Sequence, residues 1–125
     1  MKMKLFLITS MVIVTIFQVF SQKYYYISDA GNFQNGPYQI LRYNEDGSNG
    51  KVFIKEGLAW PQDILFLPGS NQVLVSNLSS NSIDAYNNES GSLLGRFISD
   101  IQGPTRMRLG NDGIIYILQW NGDGT

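Results

Sequence analysis

The chain alternates short apolar runs with short polar segments along most of its length. After residue 22 the apolar runs are four to seven residues long, rich in β-branched and aromatic side chains, and bounded by Gly, Asn, Asp or Pro. Helical spacing of apolar positions is absent from this part of the chain. Because such runs are typical of strands joined by turns, the sequence predicts an all-β structure after the first 21 residues.

The apolar runs predict nine strands. Turn signals separate them, and the clearest is the pair Asp46 and Gly47, which tolerates the positive φ of a tight hairpin turn. The predicted strands are 24–28, 38–43, 52–55, 64–67, 72–76, 83–86, 93–98, 106–109 and 114–120.

The strand pattern repeats with a period of about 43 residues. Strand-end polar residues, a tyrosine and a redirecting proline recur at matching places, and a third copy begins before the end of the chain. The matched pairs are Ser28 and Ser76, Asp29 and Asn77, Tyr43 and Tyr86, Pro61 and Pro104, Val73 and Ile115, and Val75 and Ile117. Short strands that repeat every 40–45 residues or so are typical of the blades of a β-propeller.

The period predicts propeller blades of four antiparallel strands, with about two and a half blades in residues 22–125 and six in the complete ring. A small β-sandwich is the alternative all-β fold. The strands of a sandwich have no reason to match residue by residue, as Tyr43 matches Tyr86 here. Since the smallest propellers have about four blades, we expect the chain to be the N-terminal fragment of a longer protein.

The first 21 residues have the pattern of a secretory signal peptide. Lys2 and Lys4 precede an apolar run of 13 residues, 5–17, and Val19 and Ser21 stand at positions −3 and −1 of a cleavage site. A membrane-spanning helix would need about 20 apolar residues, which disfavours an anchor. The expected organisation is therefore a signal peptide, 1–21, and a partial propeller, 22–125, that is secreted to the extracellular space or the periplasm.

We expect the mature N-terminus to be Gln22, since signal peptidase cleaves after small residues such as Ser21. N-terminal sequencing or intact-mass measurement of the exported protein checks this prediction. Retention of Met1 in the mature protein would contradict the secretory interpretation.

The 125-residue chain contains no cysteine and no histidine. It therefore has no disulfide framework and no thiol chemistry, and it lacks the commonest general base and transition-metal ligand. Residues 22–125 carry seven basic and ten acidic side chains, which are scattered rather than clustered. This distribution gives no basic footprint for nucleic acid or for an anionic membrane surface.

Residues 24–120 resemble NHL-type repeats. The repeat runs from a Pro-started strand, through a strand ending in Asp or Asn, to a strand ending in an aromatic residue and a Gly-containing turn. The segments that carry the likeness are 60–64, 73–77, 83–86 and 90–95, followed by 103–107 and 111–117. The chain is also similar to secreted bacterial propellers loosely grouped with the gluconolactonase and senescence-marker family. The resemblance implies a propeller and leaves the activity open, because one fold hosts many functions.

Lactonases of that group hold a divalent metal at one mouth of the channel through a Glu, Asn residues and an Asp from different blades. The Glu comes just before a Gly-Pro pair. No Glu precedes the redirecting pairs at 60–61 and 103–104, whereas Asn77 and Asp63 approximate two of the other ligands. We therefore expect no catalytic residue, no metal site and no cofactor, with calcium as the alternative.

Four polar residues are candidates for ligand binding at the mouth of the channel. Asp63 and Arg106 each follow a redirecting proline by two residues, and the alternative for them is an ion pair between blades. Asp29 and Asn77 end equivalent strands, and the alternative for them is a hydrogen bond to their own loop.

Two further features of the sequence each allow a binding role and a structural role. Trp60, Trp120 and the tyrosines at 24–26 could stack on sugars, although packing between blades is the expected role of such aromatic residues. Segment 121–125 has oxygen-bearing side chains at alternate positions, as a calcium loop begins, but a plain turn is favoured.

Together these features predict a secreted propeller that is a non-catalytic binding domain for an extracellular protein or carbohydrate. Nucleic acid is not an expected partner, and no membrane attachment is expected after signal cleavage. The alternative is a calcium- or zinc-dependent hydrolase similar to lactonases, with most of its ligands in blades beyond Thr125.

Overall fold

The computed structural model describes residues 22–120, which form nine β-strands and no helix. The strands are β1 Tyr24–Asp29, β2 Gln39–Asn44, β3 Lys51–Ile54, β4 Pro61–Phe66, β5 Gln72–Asn77, β6 Ser82–Asn87, β7 Leu93–Ile98, β8 Pro104–Leu109 and β9 Ile115–Gln119. The all-β prediction is confirmed for these residues. The predicted signal peptide, 1–21, and the predicted turn at 121–125 lie outside them. Residues 22–120 contain no helix with the length and apolar character to cross a membrane.

The nine strands form three antiparallel sheets, each a meander of consecutive strands. Sheet 1 has the order β1-β2-β3, sheet 2 the order β4-β5-β6-β7, and sheet 3 the order β8-β9. Sheet 2 therefore has the four-stranded order expected of one complete repeat. Within residues 22–120 the sheets do not close on themselves or on one another.

The two middle strands of sheet 2, β5 and β6, are buried on both faces. One face packs on sheet 1, where Val73, Val75 and Tyr86 meet Ile40 and Ile54. The other face packs on sheet 3 through a second group of buried side chains, namely Leu74, Ile83, Ala85 and Met107. Successive side chains of β5 thus alternate between the two neighbouring sheets, which explains why its sequence is a continuous apolar run.

The outer faces of the stack are not covered by the described residues. Tyr25 and Ile27 of sheet 1 are 58% and 49% exposed, and Tyr116 and Leu118 of sheet 3 are 56% and 61% exposed. Exposed apolar area of this kind marks a surface that meets another structural element. β1 is also an edge strand of sheet 1, because it pairs only with β2.

The structure preserves the spacing of the sequence repeat. β2 and β6 begin 43 positions apart, as do β4 and β8. Two side-chain hydrogen bonds between sheets recur as well. Ser28 Oγ donates to the Pro61 carbonyl oxygen at 2.8 Å, and Ser76 Oγ donates to the Thr105 carbonyl oxygen at 3.1 Å. Equivalent serines thus tie each sheet to the first strand of the next.

The predicted starts of β4 and β8 were wrong by two or three residues. The sequence placed the starts at 64 and 106 because Pro61 and Pro104 were interpreted as residues that redirect the chain before each strand. The structure starts these strands at Pro61 and Pro104, each followed by a bulge in the register. Both strands lie at the edge of their sheet, where a proline is tolerated because one side of the strand is unpaired.

Tyr86 joins the second repeat to the first. Its side chain is fully buried against sheet 1, and its hydroxyl donates a hydrogen bond to the Glu56 carbonyl oxygen at 3.0 Å. Burial raises the pKa of Tyr86, so the hydroxyl stays protonated and remains a donor. The loop before β4 is thereby fixed to the middle of sheet 2.

Candidate functional site

All four predicted site residues lie at one end of the stack. This end, called the tryptophan end below, is where β1, β5 and β9 finish and where β4 and β8 start. Asp29 and Asn77 close their strands there, and Asp63 and Arg106 lie near the starts of theirs. The antiparallel pairing brings these positions to a common edge because each strand that ends there is paired with one that begins there.

Asp63 connects sheet 2 to sheet 3. Its Oδ2 accepts a hydrogen bond from the Met107 backbone N–H at 2.7 Å and lies 3.4 Å from Nη1 of Arg108. The sequence had offered Arg106 as the partner of Asp63, whereas the ion pair in residues 22–120 is formed by Arg108. The Arg108 guanidinium folds back over its own strand and also donates to the Met107 carbonyl oxygen at 2.7 Å. Arg106 itself is exposed.

Asp29 organises the loop that follows β1. Its two carboxylate oxygens accept hydrogen bonds from the Gln39 side chain and from the Gly31 backbone N–H, both at 3.0 Å. These bonds hold the pKa of Asp29 below its usual value, the Gln39 bond having the larger effect. The contacts are those expected of a residue that stabilises its own loop.

Asn77 is fully buried at the equivalent place in sheet 2. Its amide oxygen accepts a hydrogen bond from the Ala59 N–H at 3.0 Å, and its amide nitrogen donates to Asp84 Oδ2 at 2.9 Å. Asp84 also accepts from Ser82 Oγ and from Arg96 Nε, both at 3.1 Å. The group Asn77, Ser82, Asp84 and Arg96 is called the Asp84 network below.

The contacts of Asp63, Asp29 and Asn77 lie within the protein itself. These bonds give all three residues a role in stabilising the fold. Ligand binding by the four predicted residues stays a prediction, and Arg106 is the most open of the four to solvent.

One groove lies along the edge of β1. It has a volume of about 360 Å³ and is lined by Tyr26 and Ser28 of β1 and by Gln62, Asp63, Ile64 and Phe66 of β4. In sheets 2 and 3 the corresponding edge is occupied by a first strand, β4 or β8. The shape of the groove therefore follows from sheet 1 having one strand fewer than sheet 2 within the described residues.

A second pocket lies at the tryptophan end, between sheets 2 and 3. It has a volume of about 370 Å³ and is lined by Trp60, Gln62, Leu78, Thr105 and Trp120. The volume is in the range of small-molecule sites, about 300–1,000 Å³, and the lining combines large apolar surfaces with a few polar groups. We call it the tryptophan pocket.

Backbone hydrogen bonds fix both tryptophans. The Leu78 N–H donates to the Trp60 carbonyl oxygen at 3.2 Å, and the Trp120 N–H donates to the Gly103 carbonyl oxygen at 2.7 Å. Leu78 and Trp120 are therefore equivalent residues in successive repeats. Packing between sheets was the expected role of these tryptophans, but the side chain of Trp120 is 77% exposed.

Trp60 has an unusual backbone conformation. Its φ is +54°, in the left-handed region, and the equivalent residue of the next repeat is Gly103, with φ +56°. A side chain in this region costs about 1–2 kcal/mol relative to glycine. The Trp60 ring is held by an edge contact with Phe33, with ring centroids 5.9 Å apart. In the sequence, the two repeats differ at this position, since Trp60 precedes Pro61 where Gly103 precedes Pro104. This difference is the sequence signal that marks Trp60.

Comparisons with protein-family models and with curated proteins give no match for this chain. Within residues 22–120, no group of three or more Asp, Glu, His or Cys side chains is placed to hold a metal ion. The tryptophan pocket is thus identified as the candidate site from its position, lining and backbone geometry alone.

Proposed function

We propose that this chain is part of a secreted NHL-like β-propeller and that it acts as a non-catalytic binding domain. The three sheets are its blades, of which sheet 2 is complete and sheets 1 and 3 are partial. Three observations support this: the sheets stack face to face, sheet 2 has four strands in consecutive order, and β4 and β8 begin 43 positions apart. The ligand is an extracellular protein or carbohydrate bound at the tryptophan end.

The observation that carries the binding role is the lining of the tryptophan pocket. None of its five lining residues has an ionisable side chain that titrates near neutral pH. A pocket that transfers protons or activates a nucleophile needs such a group within hydrogen-bond reach of the substrate. A lining of aromatic, aliphatic, amide and hydroxyl groups instead suits recognition without chemistry.

The alternative, a metal-dependent hydrolase similar to lactonases, is less well supported by the contacts of its two candidate ligands. Asn77 has both amide atoms engaged in buried hydrogen bonds, and Asp63 Oδ2 is bonded to a backbone N–H of the next sheet. Asn77 is also fully buried, so its amide oxygen would have to be uncovered before it could bind a metal. The hydrolase remains the second candidate function because both residues lie at the same end of the stack.

The test is to titrate the complete exported protein with calcium and with zinc by calorimetry, and to assay lactone hydrolysis in the presence of each metal. We expect neither micromolar metal binding nor metal-dependent hydrolysis. Metal-dependent turnover of a lactone would overturn the binding role. A Lys55→Ala variant removes an exposed charge outside the four candidate residues, so it is a control for non-specific effects of surface charge and should leave both results unchanged.

A further inference from the structure

We infer that the tryptophan pocket binds a neutral saccharide, with the rings of Trp60 and Trp120 against the apolar faces of the sugar. This inference rests on the proposed binding role and names the ligand class of the same site. It follows from the strained backbone of Trp60, from the exposure of Trp120, and from the absence of charged groups among the residues of 22–120 that line the pocket.

The backbone of Trp60 indicates that its side chain is present for a reason other than folding. The chain reverses direction before β8 with Gly103, which adopts nearly the same φ as Trp60, +56° against +54°, without a side-chain penalty. Both residues precede a proline and both carbonyl oxygens accept the same backbone hydrogen bond. A glycine would therefore serve the fold at position 60, and residues kept in such conformations cluster at ligand sites.

The two tryptophans present aromatic surface to solvent at one place. Trp120 is 77% exposed, and Trp60 is half-buried and braced by Phe33. Indole rings give a large rigid contact area at low cost in side-chain entropy. They match a ligand that is flat and apolar on its faces.

The polar groups of the pocket select a ligand that donates hydrogen bonds, because both present acceptor oxygens. The Thr105 hydroxyl donates to the Leu118 carbonyl oxygen at 3.0 Å, which orients its lone pairs for a donor on the ligand. The Gln62 amide nitrogen lies 3.4 Å from the Trp60 and Pro61 carbonyl oxygens, so its amide oxygen is the acceptor that faces away from them. Hydroxyl groups around the rim of a sugar ring supply such donors.

The absence of charge among the described residues of the lining distinguishes a neutral sugar from other ligands of similar size. Nucleotides, phosphosugars and uronic acids carry anionic groups that are normally paired with Arg, Lys or backbone N–H clusters. The five lining residues offer no cationic side chain. The volume of about 370 Å³ suits a ligand of one or two sugar rings rather than a protein surface.

The test is to titrate the complete exported protein with neutral tetrasaccharides of β-1,4-linked glucose, β-1,4-linked xylose and α-1,4-linked glucose, and with oligogalacturonate as an anionic comparison. Calorimetry measures the dissociation constant, and tryptophan fluorescence reports whether the indoles are covered. We expect saturable binding of at least one tetrasaccharide, with a blue shift of the emission. In Trp60→Gly the dissociation constant should rise about tenfold or more, because an aromatic anchor is lost. The melting temperature of this variant should be equal to or above that of the wild type.

Phe97→Ala is the matched control, because Phe97 is an aromatic residue of β7 that is 45% exposed and does not line the pocket. It should bind the sugar as the wild type does. Unchanged affinity in Trp60→Gly, no binding of any neutral tetrasaccharide, or binding of oligogalacturonate alone would each overturn the inference. These outcomes leave a protein-binding role intact, whereas metal-dependent lactone hydrolysis would overturn the proposed function itself. If Trp60→Gly lowers the melting temperature, Trp120→Ala decides the same question.

Discussion

Replacing Gly91 by alanine is expected to lower the free energy of unfolding by about 3–4 kcal/mol. Gly91 lies in the turn between β6 and β7, with φ +73°, and it is buried where this turn meets sheet 1. A Cβ at this position would collide with the carbonyl oxygen of Phe53, a backbone atom of β3. Neither backbone can yield without separating sheets 1 and 2. Urea unfolding followed by circular dichroism measures the loss.

Gly47→Ala is the control for this prediction. Gly47 occupies the corresponding turn of the first repeat with φ +79°, but nothing lies within 4 Å of a Cβ built there. The expected loss is about 1–2 kcal/mol, which is the cost of a side chain in the left-handed region alone. The difference between the two losses of unfolding free energy measures the cost of the collision between the new Cβ and β3. Equal losses in Gly91→Ala and Gly47→Ala would contradict the packing of this turn against β3.

Replacing Asp84 by alanine is expected to cost about 3–4 kcal/mol of stability. The carboxylate is 5% exposed and accepts hydrogen bonds from Asn77, Ser82 and Arg96. Alanine would leave the buried amide of Asn77 and the buried hydroxyl of Ser82 without this acceptor. Thermal unfolding of the exported protein measures the change as a fall in melting temperature.

Two variants bracket the Asp84 prediction. Asp84→Asn keeps the size of the side chain and one acceptor oxygen, so about half of the loss is expected. Glu89→Ala removes an exposed carboxylate in the turn after β6 and should change stability by less than about 0.5 kcal/mol. A loss in Asp84→Ala as small as that in Glu89→Ala would show that the Asp84 network does not stabilise sheet 2.

The Asp84 network also connects the core of sheet 2 to the tryptophan pocket. Asp84 fixes the amide of Asn77, whose oxygen holds the N–H of Ala59, the residue just before Trp60. Loss of the carboxylate would loosen the segment that carries Trp60. We therefore expect that any ligand affinity of the pocket falls in Asp84→Ala together with stability, unlike in Trp60→Gly, where the two effects separate.

Much of the local structure was predictable because it depends on neighbours in the sequence. The strand at 93–98 has the same bounds in the structure, β7 Leu93–Ile98, since its flanking turn residues are unambiguous. Val73 and Val75 were matched to Ile115 and Ile117, and in the structure both pairs lie on the face toward the preceding sheet. The alternation of side chains along a strand carries this information in the sequence itself.

Contacts between repeats were harder to predict, as Asp63 illustrates. The sequence put Arg106 one period after Asp63, but the side chain that reaches the carboxylate belongs to Arg108, two positions further along β8. The Met107 backbone N–H also bonds to Asp63, so the contact lies further along β8 than the sequence period indicates. The sequence period gives the spacing of strands along the chain and leaves the pairing of individual side chains open.

The sequence by itself determined the all-β class, the order of the nine strands and the spacing of about 43 residues, because these depend on local alternation, turn residues and proline positions. Only the tertiary structure decided which residues form the candidate site. Trp60 and Trp120 are 60 positions apart and line one pocket because β4 and β9 belong to sheets that pack face to face. Asn77 and Asp84 lie near each other because β5 and β6 are paired strands of one sheet, but their burial depends on the packing of the neighbouring sheets, which no local pattern encodes.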